Sequence, residues 1–154
     1  MPVSLTPKLV DSQGDDQFKH IKVSDFMTRD LITVTPEMDI YKAIDLLIAK
    51  QISGTPVVDK SGKLIGMLSE KDCIKLLAKR AYHNQIGGTV KEYMTNSIQT
   101  VPPDMELVDL AEKFASPSFP FRRLPVVDQG RLVGQISRRD VLIAIQKNHK
   151  TAGA

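Results

Sequence analysis

The middle of this 154-residue chain is written twice, and that limits its possible folds more than any other feature. Val23-Ser24-Asp25-Phe26-Met27-Thr28 returns as Val90-Lys91-Glu92-Tyr93-Met94-Thr95. At the same spacing Thr33-Val34 returns as Thr100-Val101, Pro36 as Pro103 and Met38 as Met105. Pro56-Val57-Val58-Asp59 then returns as Pro125-Val126-Val127-Asp128, with two residues gained on the way, and Gly66, Ser69 and Asp72 return as Gly134, Ser137 and Asp140. So many landmarks kept in order mark a duplication, which governs the architecture before any single element does. A copy of about 55 residues hides only about 60% of its unfolded surface and is marginal alone. The two copies should therefore share a core, related by a pseudo-twofold axis with two related clefts between them.

Each copy predicts the same elements. Thr35 can cap a helix with Pro36 and Glu37 in its first turn, where proline is tolerated. Ile40, Ala43, Ile44, Leu47 and Ile48 follow at helical spacing, and Leu107, Leu110, Ala111, Phe114 and Ala115 repeat it. A hairpin comes next: strands Thr55 to Asp59 and Leu64 to Leu68 around Lys60-Ser61-Gly62, and strands Leu124 to Asp128 and Leu132 to Ile136 around Gln129-Gly130. A second helix is expected over 70–80 and again over 138–147. The chain divides into an arm (1–20), repeat 1 (21–81), a linker with Gly87-Gly88 (82–89), repeat 2 (90–147) and a tail (148–154). The class is α/β in content, of the α+β kind, with the repeats packed sheet to sheet.

Composition narrows the function by exclusion. With 42% hydrophobic and 25% charged residues the chain is an ordinary globular one, and its net charge of +3 suits an anionic ligand without requiring nucleic acid. Trp is absent and aromatics are 5%, so the stacking platforms of a nucleic-acid binder are missing. No apolar run approaches the roughly 20 residues of a membrane helix, and the N-terminus has no secretory apolar region. A single cysteine, Cys73, fits a cytoplasmic protein. It matches Val141 and so occupies an apolar position. His20, His83 and His149 lie in the arm, linker and tail, with no metal-ligand spacing and no nucleophile motif, so the chain reads as no enzyme and requires no cofactor.

The candidate site residues sit at the rims of the hairpins. Ser69 with Asp72, and Ser137 with Asp140, can form variant capping boxes. The same geometry serves a ligand: free helix N–H groups and a hydroxyl suit a phosphate, and a carboxylate accepts from a ribose diol. Basic residues separate the copies. Ser53, Gly54 and Thr55 precede the first Pro-Val-Val-Asp, whereas Arg122, Arg123 and Leu124 precede the second; Arg138 and Arg139 replace Glu70 and Lys71. Guanidinium groups bind phosphate in bidentate fashion, so Arg122, Arg123 and Arg139 mark an anion end.

On these motifs the chain resembles a tandem pair of CBS domains (named after cystathionine β-synthase), the Bateman module, over about residues 21–147. The resemblance implies two β-α-β-β-α units whose clefts bind adenosyl ligands such as AMP, ADP, ATP or S-adenosylmethionine. It further implies a homodimer and a regulated partner protein. Mapped onto this sequence, the family's Ser/Thr-x-x-Asp falls on Ser69 and Asp72 and on Ser137 and Asp140. Ser53, Gly54 and Thr55, or Arg122, Arg123 and Leu124, would line the base or phosphate, and Thr33, Thr35 and Thr100 would border the base. In the γ subunit of AMP-activated kinase, basic residues of one repeat reach a nucleotide held by the other, and Arg122, Arg123 and Arg139 look similarly placed. Two readings stay open beside a regulatory adenine-nucleotide module: an interaction module with empty clefts, and a binder of S-adenosylmethionine.

Overall fold

The computed structural model describes residues 17–83 and 87–149, so the expected arm falls outside the described residues up to residue 16. In chain order the elements are α1 (Val23–Phe26), α2 (Ile40–Lys50), β1 (Gly54–Val58), β2 (Leu64–Ser69), α3 (Glu70–His83), α4 (Val90–Tyr93), α5 (Leu107–Ala115), β3 (Arg123–Asp128), β4 (Arg131–Ser137) and α6 (Arg138–Asn148). β1 pairs with β2 and β3 with β4, both antiparallel, in two separate sheets. The first strand of each β-α-β-β-α unit is a single bridge. Val34 lies parallel to Val57, donating to the Pro56 carbonyl and accepting from the Val58 N–H, and Val101 does the same beside Val126. The fold is of the α+β class.

Local chemistry explains most of the boundaries. The first hairpin turns where the Asp59 carboxylate accepts from the Ser61 N–H (2.9 Å), the Ser61 hydroxyl (2.6 Å) and the Lys63 N–H (3.0 Å). The Ser61 hydroxyl bond holds the Asp59 carboxyl below the usual carboxylate range. Gly62 completes that turn at φ 88°, a conformation open to glycine at no steric cost. Two boundaries differ from expectation by more than a residue: α3 runs on to His83, into the expected linker, and the first long helix begins late. The first long helix does not start at Thr35–Pro36: residues 35–38 close a turn, with the Met38 N–H on the Thr35 carbonyl, and Asp39 is the cap, accepting from the Tyr41 N–H at 2.8 Å. A carboxylate one residue before the apolar run outcompetes a threonine four residues earlier.

The sequence repeat is not the packing unit. Val23 and Met27 of α1 and its exit sit in the core of the second repeat, with Leu107, Leu110, Leu124, Val126 and Ile136. Val90 and Tyr93 of α4 sit in the core of the first, with Val34, Ile40, Val57 and Leu68. Backbone bonds seal the exchange on both sides. Val23 and Ser24 donate to the carbonyls of Met105 and Pro103, while Val90 and Lys91 donate to those of Met38 and Pro36. The Lys22 ammonium meets Glu106 at 2.8 Å, which raises the lysine pKa and lowers that of the carboxyl. The turns of the two hairpins join as well, Leu64 donating to Gly130 and Leu132 to Gly62. These backbone crossings come in pairs, which is the pseudo-twofold relation the repeats imply.

The exchange accounts for Gly66 and Gly134. After α1, Thr28 pairs with Gln135; after α4, Thr95 pairs with Met67. These crossings press a methionine onto each glycine. A Cβ at Gly134 would stand 2.6 Å from the Met27 sulfur and 3.0 Å from the Thr28 carbonyl oxygen. A Cβ at Gly66 would stand 2.6 Å from the Met94 sulfur and 3.2 Å from the Thr95 oxygen. Close backbone approach, and no need for positive φ, fixes glycine at both places.

Candidate ligand site between the repeats

The exchange leaves two clefts. The first, about 250 Å³, lies between Thr28, Asp30, Leu31 and Ile32 after α1, Ile52, Gly54 and Pro56 of repeat 1, and Arg123, Gln135, Ser137 and Asp140 of repeat 2. The second, about 410 Å³, is bounded by Ser53, Gly54, Met67, Ser69 and Asp72, by Thr95, Ser97, Ile98 and Gln99 after α4, and by Pro120 to Pro125. Small-molecule sites run from about 300 to 1,000 Å³, so the first falls just short of that range and the second lies within it. Gly54 and Arg123 are repeat-matched, and each lines both clefts.

At both helix starts the capping reading holds. Asp140 N–H donates to the Ser137 hydroxyl oxygen (3.1 Å), and the Asp140 carboxylate accepts at Oδ2 from the Ser137 N–H (2.8 Å) and hydroxyl (2.9 Å). Ser69 and Asp72 repeat that box at 3.1, 2.9 and 2.9 Å. The other carboxylate oxygen differs. Oδ1 of Asp72 accepts from the Thr95 hydroxyl (3.1 Å) and the Lys75 ammonium (3.3 Å), whereas among the described residues no donor meets Oδ1 of Asp140.

The two flanks are equally informative. The Gln135 Nε2 is buried without a hydrogen-bond partner among the described residues, and its repeat mate is the apolar Met67. The guanidinium groups of Arg122 and Arg123 are exposed and make no ion pair among the described residues. They stand where they do because copy two carries its extra residues between α5 and β3, in a loop organised by Phe119, whose ring packs edge-on to Phe114 (5.8 Å) and Phe121 (5.4 Å).

Of the residues singled out in the sequence, Ser53, Gly54, Ser69, Asp72, Arg122, Arg123, Leu124, Ser137 and Asp140 line one or both clefts. Arg122 lines the Asp72 cleft and not the one beside its own repeat's serine and aspartate. Thr33, Thr35, Thr100 and Arg139 line neither; the walls end at Ile32 and Gln99, one residue short of Thr33 and Thr100. Thr55 is fully buried and donates its hydroxyl to the Ile32 carbonyl at 2.7 Å, a framework role. Sequence reasoning missed the stretches after each Met-Thr, Thr28 to Ile32 and Thr95 to Gln99, although the Met-Thr pair was itself repeat-matched. Cys73 is half-buried, and burial raises its thiol pKa away from a reactive thiolate. Among the described residues no cluster of His, Cys, Asp and Glu is placed to hold a metal, and no helix is long and apolar enough to cross a membrane.

A family model for the CBS domain matches residues 23–79 and again 90–147, the two repeats whose clefts are described above. The chain belongs to the CBS-domain family. It is 32% identical over 120 residues to the uncharacterized protein MJ1225 of Methanocaldococcus jannaschii, covering 78% of this chain and 41% of that one. It spans still less of three further curated relatives, between 23% and 33% of their length. Among solved structures, CBSX2 in complex with AMP superposes with a TM-score of 0.70 at 34% identity, covering 82% of this chain and 96% of that one. The CBS domain pair of MJ0100, in complex with 5′-methylthioadenosine and S-adenosyl-L-methionine, gives 0.65 at 28% identity over 84% and 98%. Both repeats and their order are therefore those of a CBS pair.

Proposed function

We propose that the chain is a non-catalytic, cytoplasmic regulatory module that binds an adenosyl ligand between its CBS repeats and passes the bound state to a partner protein. The observation that carries this reading is the meeting, in one cleft, of a carboxylate at a helix start (Asp140) and an arginine (Arg123) that has no ion pair among the described residues. The carboxylate suits ribose hydroxyls, and the guanidinium suits a phosphate. The likeness to CBSX2, solved with AMP, and to MJ0100, solved with 5′-methylthioadenosine and S-adenosylmethionine, supports an adenosyl compound as the ligand class. AMP, ADP and ATP are favoured over the uncharged or cationic compounds because Arg123 lines the cleft that holds Asp140. Thermal denaturation with a panel of these compounds tests the reading. Ligand at about a hundred times its Kd adds about 2.7 kcal/mol, a rise in Tm of roughly 5–11 °C for this size. No rise with any adenosyl compound rejects it. Arg123→Ala is expected to weaken AMP and ATP about tenfold or more while sparing adenosine, since a charge-assisted hydrogen bond contributes about 1.5–3 kcal/mol. Equal losses for all three would sink the phosphate role.

The same reading includes a homodimer. Ile48 (71% exposed) on α2 and Ile74 (69%) and Leu77 (70%) on α3 leave an apolar face open, and Val108, Leu142 and Ile145 do so on α5 and α6. Charged residues placed in such a face oppose association. Ile74→Glu with Leu77→Glu is expected to give a monomer by light scattering where the unaltered chain gives a dimer, with no change in helix content. A monomeric unaltered chain removes the dimer from the proposal.

A further inference from the structure

We infer that each chain holds one adenosyl ligand, in the Asp140 cleft, and that the Asp72 cleft is closed to a ribose. This rests on the adenosyl reading above and decides between two clefts that the sequence repeat makes look equivalent. A carboxylate offers about four lone-pair positions to donors. Asp72 has four donors: the Ser69 N–H and hydroxyl on Oδ2, and the Thr95 hydroxyl and Lys75 ammonium on Oδ1. It is also only 4% exposed. A ribose diol reaching it must first displace Thr95, whose hydroxyl ties the segment after α4 to the start of α3. At Asp140, among the described residues, only Oδ2 is engaged. Thr28, the repeat mate of Thr95, lines that cleft without bonding to the carboxylate, so Oδ1 stays open to it.

A second difference falls the same way. Gln135 lines the Asp140 cleft and carries a buried amide Nε2 with no partner among the described residues, whereas its repeat mate Met67 gives the Asp72 cleft no side-chain donor. A buried donor left without an acceptor is unfavourable, and a polar ligand atom relieves it. Arg123 lines both clefts, but its repeat mate is Gly54, so one guanidinium on that shared wall serves both. The Asp140 cleft therefore combines a free acceptor, a free donor and a cation. The Asp72 cleft keeps two cations, Arg122 and Arg123, but has given its acceptor to the fold.

Titration calorimetry of the full chain with AMP and with adenosine tests this. The expected stoichiometry is one per chain for the unaltered protein. Asp72→Asn should bind both compounds with affinity unchanged within a fewfold, while Asp140→Asn and Gln135→Met should each weaken both by about tenfold or more, the loss expected for one charged or buried hydrogen bond. Melting curves confirm that each variant is folded. Two sites in the unaltered chain, or binding abolished by a folded Asp72→Asn and kept by Asp140→Asn, overturns the assignment while leaving the adenosyl reading intact. An unaltered chain that binds neither these nor any other adenosyl compound overturns both.

Discussion

Gly134→Val is expected to lower stability by about 3 kcal/mol, a fall in Tm of roughly 6–12 °C for a chain of this size. The position is unforgiving although its backbone is ordinary β-strand. Any Cβ there meets the Met27 sulfur at 2.6 Å, the Met27 Cγ at 2.9 Å and the Thr28 carbonyl oxygen at 3.0 Å. The sulfur can swing aside, but the carbonyl is fixed, because Thr28 and Gln135 exchange both backbone bonds at 2.8 and 2.9 Å. A branched side chain must therefore push α1 and its exit out of the second repeat's core, which exposes Val23 and Met27. The mechanism has its own check. Met27→Ala removes the obstructing side chain, so its cost combined with Gly134→Ala should be less than the sum of the two single costs, as expected of residues in contact. Strict additivity would show that the glycine answers to something other than the exchanged helix.

Asp72→Ala is expected to cost about 2–4 kcal/mol, against about 0.5–2 kcal/mol for Asp140→Ala, measured by denaturant unfolding. Both changes remove half of a capping box, and the sequence alone leads one to expect a modest helix-start effect at each. The structure separates them. Asp72 is buried and also receives the Thr95 hydroxyl, so its loss strands a donor that joins the two repeats. Among the described residues Asp140 receives only its own serine, and it is half-buried. Equal costs at the two sites would mean that the Thr95 bond contributes nothing, and the argument for a closed Asp72 cleft would fall with it.

Particular residues show why part of this structure could be read in advance. The hairpins, the amphipathic helices and the Ser-x-x-Asp boxes are local, set by side chains within about four residues of one another, and such patterns survive into the fold. The start of α2 was misplaced because Thr35-Pro36-Glu37 and Asp39 both carry helix-start chemistry, and only the turn bond from Met38 to Thr35 shows which of them the chain uses. The exchange of α1 and α4 was hidden for a different reason. Val23–Phe26 and Val90–Tyr93 are single turns, too short to display a helical period, and their partners lie some eighty residues away in one case and some fifty in the other. That Arg122 lines the opposite repeat's cleft followed only from the family resemblance, since no local pattern spans that distance. Nor can a repeat pattern reveal where its two copies have diverged by hydrogen bonding, as Thr28 and Thr95 have.

The exchanged helices also bear on how such a chain could arise. A lone ancestral copy folded in this way would present a groove over its glycine with nothing of its own to fill it. It could complete its core only by trading that helical turn with a second identical chain, each closing the other's sheet. Joining two copies end to end would then turn a dimer held by mutual exchange into one chain, sparing it any dependence on concentration. Once the partners were covalently tied, each seam was free to drift on its own. One carboxylate became a bolt between the halves, and its twin was left open.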